Sequence, residues 1–197
     1  MSVAAIILAA GASSRLGQPK QLVQLGGEFL LERAVRTARE AGLAPIIVVV
    51  GARAAEITAQ CDLRETQVIR CERWAEGMSE ALRSGIAAVE ETNAASAIVM
   101  TSDMPFVSPA HLQALCKRRT DVRASAYDGR KGVPAHFPLS SFAMLMELEG
   151  DTGARELLQA ALTVDLGPDA LDIDTAEDLA AARARFGTVK RRRKGAR

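Results

Sequence analysis

A three-layer α/β/α sandwich around a mostly parallel sheet is the fold class this sequence predicts, on three observations. Apolar runs alternate with segments of helical period along the whole chain. Two of those runs, Val3 to Ala10 and Pro45 to Gly51, are continuously apolar, as befits strands covered on both faces. The first run empties directly into a turn of small residues, Gly11 to Ser14.

Taken in order, strand one is Val3 to Ala9. Glu28 to Ala41 places Leu30, Leu31, Ala34, Val35 and Ala38 at helical spacing, and Gly42 closes it. Pro45 to Gly51 is a strand, Ala54 to Gln60 a short helix, and Gln67 to Arg70 a weaker strand. Met78 to Glu91 is a helix with Ala81, Leu82, Ile86 and Val89 as its apolar stripe. Ala97 to Met100 is a buried strand. Ser108 then caps a helix that opens on Pro109 and runs to about Arg118. Strands follow at Val122 to Ala126 and Gly132 to Phe137, then a helix from Ser140 to Glu147. Gly150 to Gly153 is a turn and Ala154 to Leu162 a helix. Thr163 to Leu166 and Leu171 to Ile173 are short strands, and Thr175 caps a last helix from Ala176 to Arg185.

Composition narrows the class further. With 197 residues and 48% hydrophobic content, one domain with a full core is expected, spanning 1–189. Residues 190–197 hold 6 of the 25 basic residues and no acid, which leaves the body at 19 basic against 24 acidic. That tail reads as a solvated, disordered end, and the body lacks the basic and aromatic interleaving that nucleic-acid binding would want. Cys61, Cys71 and Cys116 match no zinc or C-x-x-C spacing and read as reduced thiols of a cytoplasmic protein. No apolar run reaches the roughly 18 residues that span a membrane. The apolar start reads as a first strand rather than a signal peptide, since no charge precedes it.

The turn after strand one carries the first chemistry. Gly11 to Ser14 can present several backbone N–H groups in one direction, and two cations follow, Arg15 and Lys20. Such a nest suits a polyphosphate. It is not a Walker A loop, because Gly11 and Gly17 are one residue too far apart and Gln18 follows Gly17. It is not the dinucleotide fingerprint either, because Gly11-Ala12-Ser13 breaks the pattern.

Ligands of open parallel sheets bind beyond the carboxyl ends of the strands, which places the Ser102-Asp103 turn on the same edge as the nest. A carboxylate there suits Mg²⁺, which takes one or two carboxylates plus phosphate oxygens; strand termination is the plainer role for Asp103. Asp172 and Asp174 alternate with Ile173, so both face away from it in an extended segment. Helix capping is the plainer role for Asp174, and a turn is the plainer one for Asp151. His111 and His136 fall within a helix and a strand and read as structural.

Leu8-Ala9-Ala10-Gly11-x-Ser13-x-Arg15-x-Gly17-x-x-Lys20 resembles the signature of nucleotidyltransferases related to the molybdenum-cofactor cytidylyl- and guanylyltransferases. Trp74 to Ser79 with Ser84-Gly85 is similar to that family's nucleotide-side segment, and Ser102 to Pro105 to its metal aspartate. Gly132-Val133-Pro134 with Phe137, Gly150 to Arg155 and Asp172 to Leu179 resemble later motifs, in the same order. The chain departs from the pattern at Glu80-Ala81, Val133 and Ala176.

The resemblance implies a Rossmann-like sheet of the nucleotide-diphospho-sugar transferase type and transfer of CMP from CTP to the phosphate of a molybdopterin-type cofactor, releasing pyrophosphate. It implies catalytic roles for Lys20, Arg15 and Asp103, and Mg²⁺ on Asp103 and Asp174. Nucleotide contacts are implied for Leu8, Ala9, Ala10, Gly11, Ala12, Ser13, Ser14, Arg15, Lys20, Gly77, Ser79, Ser102 and Asp103. CTP is expected over GTP because the resembled cytidylyl enzymes carry Ala-Ala-Gly where guanylyl enzymes carry Ala-Gly-Gly, and the Ala10 methyl crowds a purine. A molybdoenzyme is the implied recipient, with neither membrane nor nucleic acid as partner. The alternatives are a guanylyltransferase, another transferase for a small phosphorylated acceptor, or a non-catalytic cofactor chaperone for a molybdoenzyme.

Overall fold

A computed structural model describes residues 2–150 and 154–194. Nine strands and seven α-helices are assigned among them. The strands are β1 (Val3–Ala9), β2 (Gln24–Leu25), β3 (Glu28–Phe29), β4 (Ile46–Val50), β5 (Gln67–Arg70), β6 (Ser96–Thr101), β7 (Arg123–Tyr127), β8 (Arg130–Pro138) and β9 (Leu162–Asp165). The helices are α1 (Leu30–Glu40), α2 (Ala54–Gln60), α3 (Met78–Glu90), α4 (Pro109–Leu115), α5 (Phe142–Met146), α6 (Arg155–Gln159) and α7 (Ala176–Lys194).

Seven strands form one sheet in the order β5-β4-β1-β6-β8-β7-β9. β5, β4, β1 and β6 run parallel, and β8 enters antiparallel between β6 and β7. β1 is the central parallel strand and is wholly buried. Ala5, Ile7 and Ala9 pack on one face against Leu31, Val35 and Ile57, while Ala4, Ile6 and Leu8 pack on the other against Leu82 and Ile86. Two-sided burial is the reason its sequence does not alternate. The registers Ala9↔Val50 and Leu8↔Thr101 bring the carboxyl ends of β4, β1 and β6 level. A third, small cluster joins Val23, Leu25 and Leu30 to Ile173, Leu179 and Ala182.

The expected elements form, with instructive differences. Glu28 and Phe29 leave the first helix and pair with Gln24 and Leu25 in a hairpin that turns on Gly26 and Gly27, both at positive φ. A side chain at Gly26 would also strike the ring of Phe186. Leu171 to Ile173 is not a strand. A 3₁₀ turn over Gly167–Ala170 precedes it, and the Ile173 amide donates instead to the Asp103 carbonyl at 3.0 Å. α4 stops at Leu115, and Leu162 leaves the helix now ending at Gln159 to begin β9. α7 continues past Arg185 to Lys194 and takes in the start of the basic run. Asp151 and Gly153, read as turn residues, lie outside the described residues, as do 195–197.

Cys61 and Cys71 are buried and Cys116 partly so; all three are free thiols, and burial pushes Cys61 up to about 12. The two histidines are structural. Ser125 Oγ donates to the Pro134 carbonyl at 2.6 Å, so His111 Nε2, 2.8 Å from that oxygen, must donate to it. His136 Nδ1 lies 3.0 Å from the Asp121 carbonyl, and burial holds both imidazoles below their ordinary range. Among the described residues no helix is long and apolar enough to cross a membrane.

Candidate active site

The level carboxyl ends of β4, β1 and β6 open onto a cleft of about 300 Å³. Leu8, Ala9, Ala10, Gly11 and Ala12 form its floor. Trp74, Ala75, Gly77, Met78 and Ala81, from the entry to α3, form an apolar wall. Lys20, Thr101 and Asp103 stand at the charged end. A smaller cavity of about 120 Å³ adjoins that end and is lined by Ser13, Ser14, Arg15 and Asp174, with Gly11 and Lys20 shared between the two.

The turn is shaped by two hydrogen-bonding devices. The Lys20 amide donates to Ser13 Oγ at 3.1 Å, and Ser13 itself has φ 56°, in the left-handed region. Gln21, 1% exposed, donates through Nε2 to the Ala9 carbonyl at 2.7 Å and the Gly11 carbonyl at 3.2 Å. Carbonyl and N–H of a trans peptide point in opposite directions, so turning the Gly11 carbonyl toward Gln21 turns the Ala12 N–H away from it. Among the described residues nothing accepts from the Gly11 or Ala12 amides. Those donors are free for an anion, as the small-residue turn suggested.

Charge meets at Lys20. Its Nζ bonds Asp103 Oδ2 and lies 3.0 Å from Asp174 Oδ1, while Arg15 reaches Asp174 Oδ2 at 3.3 Å. Burial works against the ammonium, but the two carboxylates outweigh it and hold Lys20 above its ordinary value. The two aspartates are brought together by the backbone bond between Ile173 and Asp103 and by Ile173 itself, which is 0% exposed. Asp174 is then followed by a capping box: Thr175 Oγ1 accepts from the Asp178 amide at 3.2 Å, and Asp178 Oδ2 accepts from the Thr175 amide at 2.8 Å. Asp172, next along, is held above the usual carboxylate range by desolvation and by the charges of Asp103 and Asp174.

The donor set fits a divalent cation. Asp103 Oδ1 is buried and has no hydrogen-bond partner, an arrangement that is costly unless something positive meets it. Lys20 already shows that the aspartate pair accepts positive charge between its members. Among the described residues no three His, Cys, Asp or Glu side chains converge, and Asp103 and Asp174 are the carboxylates that Lys20 joins here.

Most of the residues singled out from sequence assemble here. Leu8 to Ala12, Lys20, Gly77 and Asp103 line the cleft, and Ser13, Ser14, Arg15 and Asp174 line the adjoining cavity. Two do not. Ser79 is 1% exposed and spends its hydroxyl on the Gly150 carbonyl at 2.6 Å, tying the first turn of α3 to the 150 loop. Ser102 is buried beside Asp103 and lines neither cavity. Gln21 and Thr101 join the cleft without having been singled out from sequence, whereas Trp74, Ala75 and Met78 come from the segment that resembles the family's nucleotide side.

Known proteins share this arrangement of chain. The family described as "MobA-like NTP transferase domain" matches residues 5–165. A protein of Paenarthrobacter nicotinovorans named nicotine blue oxidoreductase is 31% identical, over 90% of this chain and 91% of its own. A probable molybdenum cofactor guanylyltransferase of Opitutus terrae is 28% identical, over 72% of this chain and 69% of its own. Among solved structures, Rv0371c of Mycobacterium tuberculosis superposes with a TM-score of 0.83 at 29% identity, covering 93% of this chain and 99% of that one. A manganese complex of Rv0371c superposes with a TM-score of 0.78 at 28% identity, with the same coverage of both chains.

Proposed function

The chain belongs to the MobA-like NTP transferase family, and on that premise we propose that it moves CMP from CTP to the phosphate of a molybdopterin-type cofactor with the help of Mg²⁺. Family membership by itself does not choose the chemistry, since one relative carries the name of an oxidoreductase. The observation that carries the reading is the meeting of Lys20 with Asp103 and Asp174 beside a turn whose amides are free.

In the proposed reaction an acceptor phosphate oxygen bonds to the α-phosphorus of the triphosphate. The bond from that phosphorus to the β-phosphate oxygen breaks, and pyrophosphate leaves. The attacking oxygen is already anionic, so no general base is required. Positioning and charge neutralisation then supply the rate. Turn amides from Ala10 to Ser14 hold phosphate oxygens, and Lys20 and Arg15 balance the charge that gathers on the leaving pyrophosphate. Mg²⁺, held by Asp103 and Asp174, supplies further charge stabilisation on the phosphates when bound. Ala10, 7% exposed on the cleft floor, supports CTP over GTP because its methyl takes room a purine would need. Residues 1–189 form the transferase unit in this reading, and 190–197 an appended basic tail.

Pyrophosphate release with each nucleoside triphosphate, in Mg²⁺ and with or without a molybdopterin-type acceptor, tests the proposal. Acceptor-dependent release, fastest with CTP, is expected. Equal turnover of GTP overturns the base assignment, and no release with any nucleotide overturns the reaction.

A further inference from the structure

Trp74 is the chain's single tryptophan, in a sequence only 4% aromatic. It lines the cleft with 37% of its surface exposed, beside Met78 at 49%. Trp74 and Met78 together leave an apolar patch open to water on the cleft wall, and a contiguous exposed patch in a groove is a candidate contact surface.

Its position is fixed from behind by main chain. At Gly51, just past the end of β4, a Cβ would stand 2.5 Å from Trp74 Cβ, 2.8 Å from Trp74 Cγ and 2.9 Å from Ala10 Cβ. Backbone therefore sits flush against both Trp74 and Ala10, and any side chain at position 51 would displace one of them. The Trp74 wall and the Ala10 floor meet at this point.

Topology says which part of a ligand meets the ring. Trp74 follows β5, on the β4-β5 side of the central strand. Asp103 follows β6, and the β7-β8 hairpin that carries Tyr127 and Arg130 lies beyond it on the other side. On the triphosphate reading the phosphates belong at the charged end with Lys20 and Asp103, which leaves the apolar wall of Trp74, Ala75 and Met78 for the nucleoside.

We infer that Trp74 is the stacking platform for the nucleobase, seated by Gly51 against Ala10. The inference rests on the reading of the cleft as a nucleoside triphosphate site. Stacking accepts the face of any base, so Trp74 supplies affinity while discrimination among bases lies at the floor, at Ala10.

A lone tryptophan gives a direct readout. In Mg²⁺ without acceptor, CTP and GTP should each change the indole emission saturably, whereas inorganic tripolyphosphate should compete for the site and leave the emission unchanged. By equilibrium dialysis with labelled CTP, Trp74→Leu should weaken binding on the order of tenfold and Trp74→Phe by less than about threefold. In turnover the loss should fall on KM, with kcat within about twofold. Melting curves matching the parent show that the variants fold, and Trp74→Phe keeps the test valid should Trp74→Leu unfold. Labelled CTP that binds without changing the emission, an equal response to tripolyphosphate, or unchanged binding by Trp74→Leu overturns the platform alone. Failure of every nucleotide to bind overturns both the platform and the triphosphate reading.

Discussion

Two of the segments that bring charge to the site flank Asp103, and they are built in different ways. The turn from Gly11 to Lys20 has little apolar anchorage of its own and is held by polar contacts, Gln21 on two carbonyls and Ser13 on the Lys20 amide. The segment from Asp172 to Asp178 is held chiefly by Ile173, which is fully buried, and by a capping box at the start of α7. Polar contacts fix direction at small net gain in stability, whereas a buried aliphatic side chain fixes position and adds stability together. Damage to the turn should therefore appear first in nucleotide affinity. Damage to the Ile173 segment should appear in stability and turnover at once.

The largest effect should come where the two segments meet. Asp103→Asn and Asp174→Asn keep shape and remove charge; each should lower kcat by about 100-fold or more, measured as pyrophosphate release at saturating CTP. Arg15 is the control, because it bonds the same Asp174 with a side chain 74% exposed. Arg15→Ala should cost less than about tenfold, since exposed charges are screened by solvent. If Arg15→Ala is as damaging as Asp103→Asn, the Lys20 centre is not where the segments join.

Ile173→Ala separates the segments next. Loss of a buried isoleucine side chain costs about 2–5 kcal/mol, so denaturant midpoints should fall clearly, and kcat should fall with them as Asp174 loses its seat. Gln21→Leu should show the other pattern. Removing the shared donor leaves the Ala9 and Gly11 carbonyls short of a partner and frees the turn to rotate. KM for CTP should rise roughly tenfold, with a stability loss of about 1–3 kcal/mol, less than that of Ile173→Ala. A Gln21→Leu protein with unchanged KM would show that the turn holds its shape without that amide.

The same contrast explains what could be seen in the sequence. The turn's shape was legible because its composition sets it: small residues leave the Gly11 and Ala12 amides without an acceptor among the described residues, and cations follow. Asp103 was legible from its place after a buried strand. Gln21 was not, because its role depends on where two carbonyls end up, and nothing in the residue type tells that. Ser79 was misplaced because a serine in the first turn of a helix can face either the cleft or the neighbouring loop, and the Gly150 carbonyl decides it. The alternation around Ile173 was read correctly without its strand. Asp172 is exposed and Asp174 partly so while Ile173 is buried, although the backbone bonds Asp103 instead of a ladder. The antiparallel insertion of β8 beside β6 had no signal at all, since alternation of strand and helix does not fix neighbours.

The smallest effect should come from the end of α7, and the reason is again which contacts do the holding. α7 serves the cleft through its first turns. Leu179 and Ala182 pack in the cluster that seats Ile173, and Phe186 closes over Gly26 under the guanidinium of Arg33 at 5.1 Å. All of these precede residue 190. Removal of 190–197 takes away 6 basic residues and turns the net charge from +1 to −5, yet leaves every one of those contacts in place. Turnover of CTP at moderate ionic strength should stay within about twofold of the full chain, because none of the contacts that seat Ile173 and Asp174 is lost. A drop at low salt that vanishes at high salt would mark the tail as a long-range attractor for the anionic substrates. A drop at every salt concentration would mean that the basic run itself reaches the cleft, and the division at residue 189 would have to be redrawn.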